Sequence, residues 1–244
     1  MHRSKFFLAL VAILSMPAGV LAADVTKFPT TAAYYGIQTK DPAAVISALD
    51  TFMASDCGKK MPAAVSLLQE HFNGQSETTH TVLFGYEKPS DIDVTNKIFQ
   101  ECPAALEFLT AFEQVGNETD QMLGRAVLSK GMGTDDQIFW VIRMKLERAD
   151  EAEYTKVVDG MMEANRAAGL PVGSYGVVRL LAGATGDMTH FAYIGFPDFA
   201  TYMQSMDSIE PGNNPAIGKF IKRAGELREI TDSTINIRLK NYFN

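Results

Sequence analysis

Two stretches of this chain, about 110 residues apart, carry the same signals in the same order. One reads ETTHTVLFGYEKPSDID from Glu77, and the other DMTHFAYIGFPDFATYM from Asp187. Each has Thr-His, an apolar run, a glycine, an aromatic and then a helix-like segment. The match extends upstream. With an offset of 109, Pro62 falls on Pro171 and Gly74 on Gly183; one inserted residue later Thr79-His80 falls on Thr189-His190, Gly85 on Gly195 and Tyr86 on Phe196. Repetition at a fixed spacing constrains a fold more than any local motif, because both copies must be built the same way.

Each copy reads as six elements. In the second, DQIFWVIRMKL is a strand of β-branched and aromatic residues. Asp150 opens a helix whose Tyr154, Val157, Val158, Met161 and Met162 recur at spacings of three and four, and Gly169 with Pro171 ends it. SYGVVRLLA and THFAYIGF are strands two and three. A helix from Phe199 is interrupted and restarts at Asn214-Pro215, a cap followed by an N1 proline. DSTINIRLKNYF is strand four. The first copy follows suit: AAYYGIQT, a helix opened by Asp41-Pro42, AAVSLLQEHF, HTVLFGYE, a helical region broken near Pro103, and DQMLGRAVLSK. The expected organisation is a first unit over 23–130, a glycine-rich linker at 131–135 and a second unit over 136–244.

The order β-α-β-β-α-β is the split βαβ, ferredoxin-like arrangement, with helices on one face of a four-stranded sheet. The other face is apolar and needs cover. A second copy on the same chain supplies it, so the fold class expected is α+β, two such units packed sheet to sheet. This doubled order resembles the dimeric α+β barrel superfamily in its tandem, single-chain form. Relatives in that superfamily include antibiotic-biosynthesis-type monooxygenases and chlorite-dismutase-like haem proteins. The resemblance rests on element order and carries over no catalytic residue.

Residues 1–22 read as a signal peptide: a basic start, the apolar run FFLALVAILSM, and Val20 and Ala22 at the −3 and −1 positions of a cleavage site. The mature chain is expected to be exported, periplasmic or secreted, without stable membrane insertion. Loss of Arg3 and Lys5 with the leader moves the formal charge from −7 to about −9, which repels nucleic acid. Export permits a disulfide between Cys57 and Cys102, the only cysteines. Closing a loop of that size is worth roughly 4 kcal/mol in the chain-entropy account. A chain that already carries both copies is expected to be a monomer or a weak oligomer.

No catalytic constellation is legible. There is no G-x-S-x-G elbow, no phosphate loop and no metal-ligand spacing, so no metal and no cofactor is expected. The methionines Met53, Met161, Met162, Met203 and Met206 fall on helix stripes and read as core. The candidates for a small-molecule site are Arg143, Trp140, Tyr175, His190 and His80. Arg143 offers a charged fork inside an apolar strand, suited to an anion. Trp140 and Tyr175 offer flat apolar area, provided they point to the same face as one another. In the first copy Tyr34 or Tyr35 stands opposite Trp140. His80 and His190 form a repeated pair, explained as well by turn structure as by acid–base work. The function expected is binding of a small apolar or anionic molecule. Two alternatives remain, a cofactor-independent monooxygenase-like enzyme and a haem-handling protein; haem would need a single axial His.

Overall fold

A computed structural model describes residues 29–131, 133–184, 186–210 and 213–242. The expected signal segment lies outside the described residues. The first unit comprises β1 (Thr31–Thr39), α1 (Pro42–Ala54), a single 3-10 turn (Gly58–Lys60), β2 (Ala64–His71), β3 (His80–Tyr86), α2 (Ser90–Glu101), α3 (Pro103–Val115) and β4 (Gly116–Lys130). The second comprises β5 (Ile138–Leu146), α4 (Glu151–Ala167), β6 (Tyr175–Ala182), β7 (His190–Phe196), α5 (Phe199–Ile209), α6 (Pro215–Leu227) and β8 (Arg228–Tyr242). Both follow the β-α-β-β-α-β order, with the second helix of each broken in two.

The breaks and starts are written locally. Asp41 accepts from the Ala44 amide at 3.0 Å with Pro42 behind it. Asn214 and Pro215 do the same for α6, and Pro103 separates α2 from α3. These caps satisfy amides that the helix itself cannot.

The eight strands form one closed antiparallel barrel in the order β1-β3-β2-β8-β5-β7-β6-β4. Within each unit the order is 4-1-3-2. Closure comes from two seams between units, β2 with β8 and β4 with β6. Sheet-to-sheet packing is thus completed by edge pairing, which leaves no strand edge open. The seam strands β4 and β8 run 15 residues each, and each starts four residues earlier than its sequence suggests. The added pieces, Gly116–Thr119 and Arg228–Thr231, are mostly polar and show no apolar alternation. They are held by pairing with β1 and β5 beyond matching bulges at Gly36/Ile37 and Arg143/Met144.

Two apolar cores lie between the barrel wall and its helices, one per unit. The first gathers Val45, Leu49, Phe52, Val65, Leu67, Val82 and Phe84; the second gathers Ile142, Met144, Tyr154, Val158, Tyr175 and Ile194. Cys57 and Cys102 are disulfide-bonded, with Cα atoms 6.5 Å apart. The bridge ties the end of α1 to the α2–α3 break. Met53 and Met162 are buried and Met161 and Met206 pack against the cores, whereas Met203 is 54% exposed, on the outer face of α5.

Candidate functional site: the barrel interior

Strand alternation sends every second side chain into the barrel. The inward set encloses a cavity of about 420 Å³, within the range of small-molecule sites. Its wall is mainly apolar, with Tyr34, Leu83, Met122, Phe139, Phe191 and Tyr193 prominent. Tyr34 meets Phe191 edge-on at 5.2 Å between ring centres, joining the two units across the interior. The space for such rings comes from glycines on the inner face. A Cβ at Gly176 would stand 2.7 Å from the Tyr193 ring, and one at Gly124 2.5 Å from Val178.

The directions of the strands give the barrel two distinguishable ends. Every neighbouring pair is antiparallel, so β3 and β7, four steps apart, run the same way. His80 and His190 therefore mark one end, Tyr86 and Phe196 the other. At the second end the lining includes exposed Glu87 and partly exposed Pro29, Pro62 and Asp91, which form a rim. Arg238 also lines the cavity there; it donates to the Gly133 carbonyl at 2.6 Å and lies 4.7 Å over the Phe139 ring. Burial, opposed by Asp136, lowers its pKa.

Toward the histidine end lies a charged cluster. Glu70 of β2 has a side chain only 2% exposed. Its Oε1 accepts from Thr81 Oγ1 at 2.9 Å and faces the Arg143 guanidinium at 3.4 Å. Arg143 also donates to Asp232 Oδ2 at 3.0 Å. Glu70 Oε2 is buried and has no hydrogen-bond partner among the described residues. Burial pushes the Glu70 carboxyl above the usual carboxylate range; Arg143 and Thr81 oppose that shift and Asp120 adds to it. The Tyr34 hydroxyl has no hydrogen bond to a described residue. Burial, aided by Tyr193, raises its pKa, so it stays a protonated donor.

Of the five candidates from the sequence, only Arg143 reaches this cavity. It shares the inner face of β5 with Phe139 and Val141. Its fork is already engaged by two carboxylates, so it is not an open anion receptor. Trp140 occupies the outer face and packs in the second helix–sheet core, edge-on to Tyr202 at 6.4 Å. Tyr175 is fully buried in the same core, its hydroxyl donating to Asp159 at 2.8 Å. The two do share a face, but it is the face opposite Arg143. The three cannot line one pocket, because adjacent residues on a strand point to opposite sides. The position matching Trp140 in the first unit is Ala33: Trp140 pairs with Ile194 and Ala33 with Phe84, each the residue before the repeated glycine. Tyr34 and Tyr35 are thus not its counterparts.

The histidines also point outward, away from the cavity. His190 Nε2 stands 3.0 Å from Glu151 Oε2 and its Nδ1 2.9 Å from Thr189 Oγ1; Arg179 reaches the same Glu151. His80 Nδ1 contacts Thr79 Oγ1 at 2.9 Å, while its Nε2 is buried without a partner among the described residues. Neither lines the barrel cavity. Both ring nitrogens of His190 are engaged, so it does not fit an axial haem ligand. Among the described residues no cluster of three or more His, Cys, Asp or Glu could hold a metal ion, and no helix is long and apolar enough to cross a membrane.

Sequence reasoning passed over Glu70, Asp232, Arg238 and the inward role of Tyr34. One signal was available. Ala64, Ser66, Leu68 and Glu70 share a strand face, so a carboxylate stands in phase with small and apolar residues.

This closed barrel with helices outside and a cavity within has the fold of the dimeric α+β barrel superfamily, in its tandem single-chain form. No protein-family model matches the chain, and no curated protein matches its sequence. Similar solved structures include a "putative monooxygenase" from Fusobacterium nucleatum (TM-score 0.59, 11% identity, covering 86% of this chain and 92% of that one). They also include an anthrone oxidase-like protein (0.55, 11%, 87% and 93%) and a haem-binding protein from Thermus thermophilus (0.51, 10%, 88% and 92%).

Proposed function

We propose that this is an exported protein that binds a small, largely apolar molecule inside its barrel. The reading is carried by one observation: an interior cavity of about 420 Å³ whose wall is mostly aromatic and aliphatic, with a few buried polar groups to orient an occupant. The anionic ligand expected from Arg143 loses support, since Glu70 and Asp232 already balance that guanidinium. Export rests on the signal-like start of the sequence. Two experiments test these statements. Native mass spectrometry and thermal-shift titration with fused-ring aromatics should show a saturable rise in Tm, abolished by Ala32→Phe, which fills the cavity. No bound mass and no shift with any probe would sink the binding reading. Amino-terminal sequencing of protein expressed in a bacterial host should begin near Ala23; an intact leader in the cytoplasm would remove the export reading.

A second reading is favoured by Glu70, a buried carboxylate on the cavity wall in a position to accept a proton. One similar fold is an anthrone oxidase-like protein and another a "putative monooxygenase". Cofactor-free oxygenation would convert a ring methylene to a carbonyl, with O₂ accepting four electrons, one oxygen entering the product and the other leaving as water. Oxygen-electrode assays with anthrone test it: uptake that tracks anthrone loss supports it, and no uptake above buffer rejects it. The haem-handling reading also has one similar fold, a haem-binding protein, but the engaged His190 and the outward His80 offer no ligand to the cavity.

A further inference from the structure

A deeply buried carboxylate on the cavity wall, Glu70, is half used. Glu70 Oε1 is held by Thr81 and Arg143, while Oε2 has no protein donor among the described residues. A carboxylate oxygen taken out of water without a donor carries a desolvation cost that a partner group would remove. Glu70 also lines the cavity.

We propose that the occupant of the barrel is a neutral, hydroxyl-bearing aromatic, and that Glu70 receives its O–H. This rests on the reading of the barrel as a binding cavity and narrows it. Charge selects among the possible donors and acceptors. Beside Glu70 an anion would stand against Glu70, Asp120 and Asp232, which outnumber Arg143 there; the cavity's other guanidinium, Arg238, lies toward the opposite end and is engaged by the Gly133 carbonyl. An ammonium would be brought beside the Arg143 guanidinium, 3.4 Å from the same Glu70. A neutral hydroxyl avoids both conflicts and supplies the missing donor. The apolar body would lie against Phe139, Phe191, Met122 and Tyr34. The Tyr34 hydroxyl, which stays protonated and has no hydrogen bond among the described residues, then donates to a ring oxygen or carbonyl of the same molecule.

The test compares 2-naphthol with 2-methoxynaphthalene, which has the same rings and oxygen but no donor, and with naphthalene-2-carboxylate. Fluorescence titration of the full protein should give about tenfold tighter binding of the naphthol than of the ether, the order a hydrogen bond to a charged acceptor contributes. The carboxylate should bind more weakly than either. In Glu70→Met the preference for naphthol over ether should vanish while the ether still binds, because the cavity remains. Should Glu70→Met not fold, Glu70→Gln keeps the shape; its preference should fall to two- or threefold, because a neutral amide oxygen is a weaker acceptor. Equal binding of naphthol and ether by the wild type, tighter binding of the carboxylate, or a preference unchanged in the variant would each overturn the proposal and leave the binding cavity standing. No binding of any of the three would instead remove the cavity reading on which it rests.

Discussion

Glu70 of the first unit and Arg143 of the second meet inside the barrel, 3.4 Å apart, across the seam strand β8. Their strands are separated by β8 in the barrel order. The contact exists only because the two units close on each other. It places a carboxylate with an unfilled oxygen on the wall of an apolar cavity.

The elevated Glu70 pKa has a consequence for stability. A carboxyl whose folded pKa lies above its unfolded value binds more protons in the folded state between the two values. Its ionised form therefore weakens the fold, fully so at pH above the folded pKa, and the penalty disappears as pH falls to the unfolded value of about 4.3. The facing charges are Arg143, Asp120 and Asp232. Glu70→Gln should raise Tm by about 2–4 °C near pH 8, the change that ~1 kcal/mol produces in a chain of this size. The gain should be absent near pH 4. Thermal unfolding of both proteins across that range checks the sign; a gain that grew toward acid would contradict it.

His80 titrates in the opposite sense. Burial, aided by His71, lowers its pKa, so the unfolded chain takes up a proton before the folded one. Stability is lost as pH falls through the window between the unfolded value of about 6.5 and the depressed folded value, and stays lost below it. Glutamine at position 80 carries no such proton. The stability difference between wild type and His80→Gln should shift against the wild type by about 1 kcal/mol between pH 8 and pH 5. Urea unfolding at both pH values measures it, and parallel pH profiles would show that His80 is not the cause.

The disulfide links segments 45 residues apart within the first unit. Thiol titration of denatured, unreduced protein should find none free. Replacing both cysteines by alanine should cost about 2–4 kcal/mol, read as a fall in Tm. Two reactive thiols, or a variant as stable as the parent, would go against this.

Trp140 and Arg143 separate structure from site, since they occupy opposite faces of β5. Trp140→Phe should lower stability by roughly 1–2 kcal/mol through lost packing and leave 2-naphthol affinity within twofold. Arg143→Met leaves Glu70 and Asp232 without their shared cation and should cost about 3 kcal/mol. It should also change naphthol affinity at least fivefold. A tryptophan variant with the larger effect on binding would reverse the assignment of faces.

The repeated Thr-His, glycine and aromatic signals, with the caps at Asp41 and Asn214, were enough to determine the element order and the tandem α+β fold; the cysteine pair followed from there being two cysteines. Those features depend on local propensity and on spacing along the chain, which a sequence states directly. Strand alternation puts Arg143 and Trp140, three residues apart, on opposite faces of one strand. It did not say which face is inner, so the candidate residues were pooled when only Arg143 faces the cavity. The polar extensions of β4 and β8 were not legible either, because their pairing is decided by partners a unit away. Glu70 is the sharpest case. In sequence it is one carboxylate near the end of an apolar strand. Its burial, its bond to Thr81 and its encounter with Arg143 come from barrel closure, which joins residues 73 positions apart.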